Sequence, residues 1–365
     1  MKRNLLSLRI FTAAILLTGL GKMNAQQDPY MTHYAFNRSL FNPAVAGANG
    51  QFCASVLSHY QYLGYEDRTP EFYPDPNNPS NVPKAEKNVG PKTNAFAFTA
   101  PITKYGGLGI AFMSDKLGYE ESTNIKVSAA GRYPMLSGAS LSVGFEVNFL
   151  QKGLDGTKLK PLAPLDPKIP SSSVKDMHPV FGAGVYYLDP MANAVSTRDF
   201  WAGISVLGLN SPEFVYNTGV GPDVVFSTPT KHIYVSGGIT MLNFMNNPDL
   251  EFLPSVMFKM NKGVFQTDLT ALAKYQGRLW GGIAYRGIAN KFNSDAFSIL
   301  LGYSGFKGNL QGLRIGYSYD LTLSRILSVS SGSHEIQLNY CFIIVPVVKE
   351  KIKLVTPPFM HRESD

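Results

Sequence analysis

Beyond residue 50 the chain alternates apolar and polar positions with a period of two. Over 139–149, Ala139, Leu141, Val143, Phe145, Val147 and Phe149 interleave with Ser140, Ser142, Gly144, Glu146 and Asn148. Over 334–342, Ile336, Leu338, Tyr340 and Phe342 interleave with Glu335, Gln337, Asn339 and Cys341. Over 313–320, Leu313, Ile315, Tyr317 and Tyr319 interleave with Arg314, Gly316, Ser318 and Asp320. A strand puts such a set on one face; a helix does not. The pattern predicts about fourteen strands, near 51–62, 93–103, 106–114, 122–133, 138–150, 180–188, 198–207, 231–241, 250–259, 263–275, 277–286, 295–303, 311–319 and 333–343. Most exceed the roughly five or six residues of a soluble strand and match the roughly 9–11 that a tilted strand needs to cross a bilayer.

The connections sort by length. If the first strand rises from the periplasm, the inner turns fall at 104–105, 134–137, 189–197, 242–249, 276 and 304–310. The outer ones fall at 63–92, 115–121, 151–179, 208–230, 260–262, 287–294 and 320–332, and the three longest share that side. Short inner turns and long outer loops characterise outer-membrane barrels. Aromatic residues gather at strand ends, as at Tyr60, Tyr62, Tyr186, Tyr187, Phe200, Trp201 and Tyr303, which suits interfacial girdles. A soluble β-sandwich would also alternate, but with shorter strands and a more charged outer face. Here the polar face carries scattered charges of both signs (Glu146, Asp199, Asp268, Lys274, Arg286, Arg314 and Glu335), as a lumen would. The fold expected is all-β: a transmembrane outer-membrane barrel over 51–343, its even strand count keeping both chain ends on the periplasmic side.

Composition narrows this further. Only 16% of residues are charged and 12% are aromatic, which excludes a disordered chain and a coiled coil. A mean hydropathy of −0.04 excludes a bundle of apolar helices. Residues 1–25 read as a signal peptide: Lys2 and Arg3, an apolar stretch from Leu5 to Leu20, then Met23-Asn24-Ala25. The formal charge of +7 falls to +3 without the four cations of that peptide, too little for a nucleic-acid footprint. Residues 26–50 hold Tyr30, Tyr34, Phe36 and Phe41, too aromatic for a free tail, and are expected to fold against or into the periplasmic mouth. Residues 344–365 are expected to form a periplasmic tail.

Nothing in the chain asks to be an active site. The six histidines, His33, His59, His178, His232, His334 and His361, make no metal-ligand spacing with one another or with cysteine. Ser172-Ser173-Val174-Lys175 matches a serine–lysine pattern without its companion motifs. No enzyme, cofactor or metal is expected. The loop 63–92, with Pro70, Pro74, Pro76, Pro79, Pro83 and Pro91, reads either as an ordinary barrel loop or as an outer docking surface. Cys53 lies early in the first strand and Cys341 late in the last, both on the lumen parity. Barrel closure makes these strands neighbours, so the two thiols are expected at the seam, where an oxidising compartment permits a disulfide.

Three motifs carry a family resemblance. Gln26-Gln27-Asp28-Pro29, Tyr34-Ala35-Phe36-Asn37 and Phe41-Asn42-Pro43-Ala44-Val45-Ala46-Gly47 resemble the start of the PorP/SprF membrane proteins of the type IX secretion system of Bacteroidetes. Gly316-Tyr317-Ser318-Tyr319-Asp320-Leu321-Thr322 and Ser333-His334-Glu335-Ile336 resemble their end, and Leu279-Trp280-Gly281-Gly282-Ile283-Ala284-Tyr285-Arg286 a middle strand. Val45 and Ala48 depart from the pattern. The resemblance implies an outer-membrane barrel that assists export or holds secreted gliding adhesins at the surface. It also implies periplasmic ring proteins as inner partners. The residues themselves leave a second function open, a diffusion porin or small-molecule transporter. The candidate partner-contact residues are Tyr34, Phe36, Asn37, Asn42 and Pro43, and the candidate lumen residues Arg286, Arg314 and Glu335.

Overall fold

The computed structural model describes residues 29–67, 86–87, 89–159, 170, 172–193, 196–216, 224–261, 264–288, 293–323 and 325–343. The expected signal peptide, the tail 344–365 and the prolines from Pro70 to Pro83 lie outside the described residues.

Fourteen antiparallel strands close into one barrel. They are β1 (Phe52–Tyr60), β2 (Lys92–Thr103), β3 (Gly106–Leu117), β4 (Glu120–Pro134) and β5 (Ser140–Asp155). Then come β6 (Ser173–Asp189), β7 (Thr197–Leu207), β8 (His232–Met241), β9 (Leu250–Asn261) and β10 (Val264–Tyr275). The last are β11 (Leu279–Ile288), β12 (Asn293–Tyr303), β13 (Leu313–Thr322) and β14 (Ser333–Phe342). Each strand pairs with its neighbours in sequence, and β14 closes on β1.

The burial pattern inverts that of a soluble protein. On β3, Leu108, Ile110 and Phe112 are 49, 52 and 44% exposed, while Ala111 and Met113 on the opposite parity are 8 and 7% exposed. In water each large apolar side chain left out would forfeit about 1.5–3 kcal/mol. A bilayer removes that cost, so the alternation that would be wrong for a soluble sheet is right for this one. The polar parity turns inward. Ser140, Ser142, Ser298, Ser318, Glu335 and Gln337 are all buried.

One end of the barrel, where β1 begins, carries tight connections, such as the turn after β10 through Gln276 and Gly277, both at positive φ. We call this the short-turn end and the other the long-loop end. Two of the expected long loops carry structure of their own. Glu66–Asp67 pairs with Glu86–Lys87, and Phe214–Tyr216 pairs with Val224–Ser227. Phe214 is buried beside Leu150 and Val180, which fastens the second ribbon to the wall.

The expected loop 151–179 is shorter than read. Strand β5 continues to Asp155 and β6 starts at Ser173. Beyond Leu150 polar residues fall on both faces, and Leu154, Val174 and Met177 are too scattered to keep the apolar alternation, yet the ladder continues. Cross-strand ion pairs support it, with Lys152 Nζ 3.0 Å from Glu120 Oε1.

At the closure, Cys53 lies directly opposite Cys341 and the two are joined in a disulfide. The bridge spans 288 residues of sequence, so in the chain-entropy account it restrains the unfolded chain by about 6 kcal/mol. We therefore expect thiol labelling of the denatured, unreduced protein to find no free thiol, and one after Cys53→Ser. In detergent, the oxidised barrel should unfold at a clearly higher urea concentration than the reduced one; equal midpoints would contradict a stabilising bridge.

Candidate functional site in the barrel lumen

Residues 29–50 run through the lumen as three short 3-10 turns, Tyr34–Phe36, Arg38–Leu40 and Pro43–Val45. The expectation had this segment folding against or into a barrel mouth; in the structure it reaches deeper into the lumen. Its first residues meet the ends of β1, β13 and β14 nearest the long loops, and it then descends across the lumen to rejoin β1 at the short-turn end. The reason is a set of charged wall residues deep inside whose pairing this segment completes.

Glu335, fully buried on β14, is the centre of that set. Its carboxylate accepts the backbone N–H of Thr32 at 2.9 Å and of His33 at 2.8 Å, and His33 Nδ1 lies 2.6 Å away. Asp320 on β13 accepts the Thr32 hydroxyl at 2.9 Å. Arg286 on β11 donates from Nε to Asp268 at 3.3 Å and from Nη2 to Thr32 Oγ1 at 3.3 Å. Lys259 Nζ is 3.1 Å from the other Asp268 oxygen. Both cations face the Tyr30 ring, at 5.2 Å for Lys259 and 4.8 Å for Arg286. His59 Nδ1 donates to the Tyr30 carbonyl at 2.8 Å. Three buried carboxylates thus share two fixed cations, two histidines and two main-chain amides. A buried carboxylate without such partners costs several kcal/mol.

Lower down, contacts are aromatic and close. Phe36 packs on Trp280 with centroids 5.2 Å apart, and the Arg314 guanidinium lies 4.2 Å from the Phe36 ring. The Tyr34 hydroxyl is 3.0 Å from Ser255 Oγ, and burial pushes its phenol above the ordinary range. Asn37 donates to Gln337 at 3.1 Å and to the His33 carbonyl at 3.0 Å. Arg38 donates to the Tyr186 hydroxyl and stacks 4.6 Å over Trp201. Asn42 caps the turn opened by Pro43, accepting Ala44 N–H at 2.9 Å, and donates to the Val185 carbonyl at 3.0 Å. This turn lies against Gly144, where a Cβ would fall 2.5 Å from Ala44 N, and against Gly184, whose Cβ would strike Asn42. Any larger residue there would hold the segment off the wall.

The lumen therefore divides into two spaces. Towards the long loops a cavity of about 170 Å³ is lined by Met31, Phe41, Glu120 and Lys126. Towards the short turns a vestibule of about 1210 Å³ is lined by Phe36, Arg38, Arg314 and the Cys53–Cys341 pair.

All ten residues singled out from the sequence line this interior. The structure brings Arg286 and Glu335 into one network, sets Arg314 apart on Phe36, and puts Cys53 and Cys341 in the vestibule wall. Sequence reasoning missed Thr32, His33 and His59 as part of it, and Asp320 as their partner. Parity already turned Asp320 inward, and glycines on the lumen parity of neighbouring strands, Gly144 and Gly184, signalled a chain approaching the wall.

Residues 23–340 match the model of a family described as type IX secretion system membrane protein PorP/SprF. Among solved structures, the chain resembles the Ralstonia pickettii toluene transporter TbuX, with 10% identity, TM-score 0.47, and 85% of this chain and 94% of that one covered. It also resembles the CymD monoaromatic hydrocarbon channel, with 11% identity, TM-score 0.48, and 85% and 93% covered. No curated protein matches the chain in sequence.

Replacing Glu335 by Ala would strand two buried amides and an imidazole, each worth about 1–3 kcal/mol when left unpaired. Hydrogen exchange of the Thr32 and His33 amides should then quicken at least tenfold while the strand amides of β5 and β6 hold. Unchanged protection at Thr32 and His33 would contradict this anchoring.

Proposed function

Since this chain belongs to the PorP/SprF family of type IX secretion system membrane proteins, we propose that it works in the outer membrane by binding polypeptides, with its own N-terminal segment as a fixed plug. The chain is a component of the type IX secretion system in the outer membrane. The protein-binding role rests on a single observation, the occupation of the lumen by residues 29–50, held by an ion pair and hydrogen bonds at Thr32 and His33 and by hydrogen bonds with the wall at Leu40, Phe41 and Asn42. Barrels of this width lie between those filled by their own side chains and the larger porins with an aqueous channel. A segment held so firmly serves a docking barrel better than a diffusion pore.

We place the short-turn end in the periplasm, since long connections conventionally face outward. The vestibule then faces the periplasmic machinery, and the long loops face secreted cargo or an adhesin on the cell surface. Residues 1–25 act as the signal peptide in this reading and 344–365 as a periplasmic tail.

The test pairs two measurements. Affinity purification of the full-length protein from its native membrane should recover periplasmic secretion components and a secreted protein. In planar bilayers the wild type should show no steady conductance, whereas Gly144→Val, which displaces the Asn42–Val45 turn, should open steady channels. Steady wild-type conductance with no co-purifying protein would favour the porin instead.

A further inference from the structure

The two lumen spaces differ in how their cations are used. In the cavity near the long loops, each lysine has its carboxylate: Lys126 lies 3.5 Å from Glu146 and Lys152 lies 3.0 Å from Glu120. The vestibule is different. Arg38, Arg132, Arg198, Lys274 and Arg314 all line it, with Asp199 as its lining carboxylate. Arg198 takes up the nearby acids, at 2.7 Å from Glu251 and 3.5 Å from Asp199. Lys274 stands opposite Glu251 in the β9–β10 ladder, but that carboxylate is already engaged by Arg198.

Among the described residues, neither Lys274 nor Arg314 makes a hydrogen bond or an ion pair. They lie within electrostatic reach of one another's neighbours: Arg314 of Arg38 and Asp199, and Lys274 of Arg314, Arg198, Glu251 and Asp199, with both acids already held by Arg198. The Arg314 guanidinium lies over the Phe36 ring and lines the vestibule. Like charges held together at reduced dielectric repel unless an anion joins them. A wall that carries such a cluster at one end, and pairs every lysine at the other, is shaped for an anionic occupant.

We infer that the vestibule is a docking site for an acidic, extended polypeptide segment, whose carboxylates are received by Lys274 and Arg314 with Arg38 beside them. A vestibule of about 1210 Å³ exceeds the usual 300–1,000 Å³ of a small-molecule site. Lipid headgroups are excluded, because these cations face the lumen and the wall separates them from the bilayer. The side chains between the cations are aromatic, Phe36, Trp201 and Tyr340, and suit a peptide whose carboxylates alternate with apolar groups. This assignment deepens the protein-binding reading above and rests on it, giving the chemistry of the partner on the short-turn side.

The test uses the purified full-length barrel in detergent and a short fluorescent Glu/Leu peptide, with a Gln/Leu peptide of equal length as its neutral control. The Glu peptide should bind, the Gln peptide should not, and raising the salt concentration should weaken binding. The double variant Lys274→Gln, Arg314→Gln should lose at least tenfold in affinity, and Lys274→Arg should keep it. The intact seam disulfide and the heat-dependent gel mobility report that each variant is folded. Equal binding of the two peptides, salt-independent binding, or a folded double variant that binds as tightly as wild type would overturn the site. Inorganic phosphate binding in place of the peptide would reassign it to a free anion and overturn the polypeptide. Failure in any of these ways would leave co-purification of secretion components intact, whereas loss of that co-purification would strike the wider reading instead.

Discussion

A carboxylate buried in the wall of a barrel must be answered from inside the barrel. Glu335 is that carboxylate, and the amides of Thr32 and His33 answer it. Around this contact the rest of the structure arranges itself. Asp320, Asp268, Arg286 and Lys259 complete the charge pattern, and Tyr30 lies between the two cations. Once these first residues are held near the long loops, the chain must still rejoin β1 at the opposite end. It therefore crosses the whole lumen, and glycines of the wall make room for it.

The outside obeys a different constraint. It is apolar because lipid surrounds it. The interior is mixed: hydrogen bonds and ion pairs gather around Glu335 and Asp320, while Met31, Leu40 and Phe41 of the segment pack with Trp201, Tyr234 and Met257 of the wall in an apolar cluster. Such an interior favours one arrangement, since each displaced partner leaves a buried group unanswered. The disulfide at the β1–β14 seam closes the same ring covalently, a short way from where the lumen segment enters the wall.

Much of this was legible in the sequence. Period-two alternation located all fourteen strands, because strand geometry ties side-chain parity directly to the lipid and lumen faces. The parity of Arg286, Arg314 and Glu335 turned them inward, and barrel closure brought Cys53 to Cys341. The limits of β5 and β6 were missed, since beyond Leu150 the ladder is supported by ion pairs such as Lys152 with Glu120 and carries no apolar alternation. Depth was missed as well. The aromatic content of residues 26–50 implied a packed segment, but its path depends on Thr32 and His33 finding Asp320 and Glu335 on two strands distant in sequence. No local pattern encodes such pairings.

The central claim is that the N-terminal segment occupies the lumen of the assembled barrel in its membrane. The most direct measurement is photo-cross-linking from Phe36→p-benzoylphenylalanine, at a ring that packs on Trp280 and Arg314, carried out in native outer membranes. The account predicts intramolecular cross-links to the strands that carry Trp280 and Arg314. Cross-linking that reaches neither strand would contradict it.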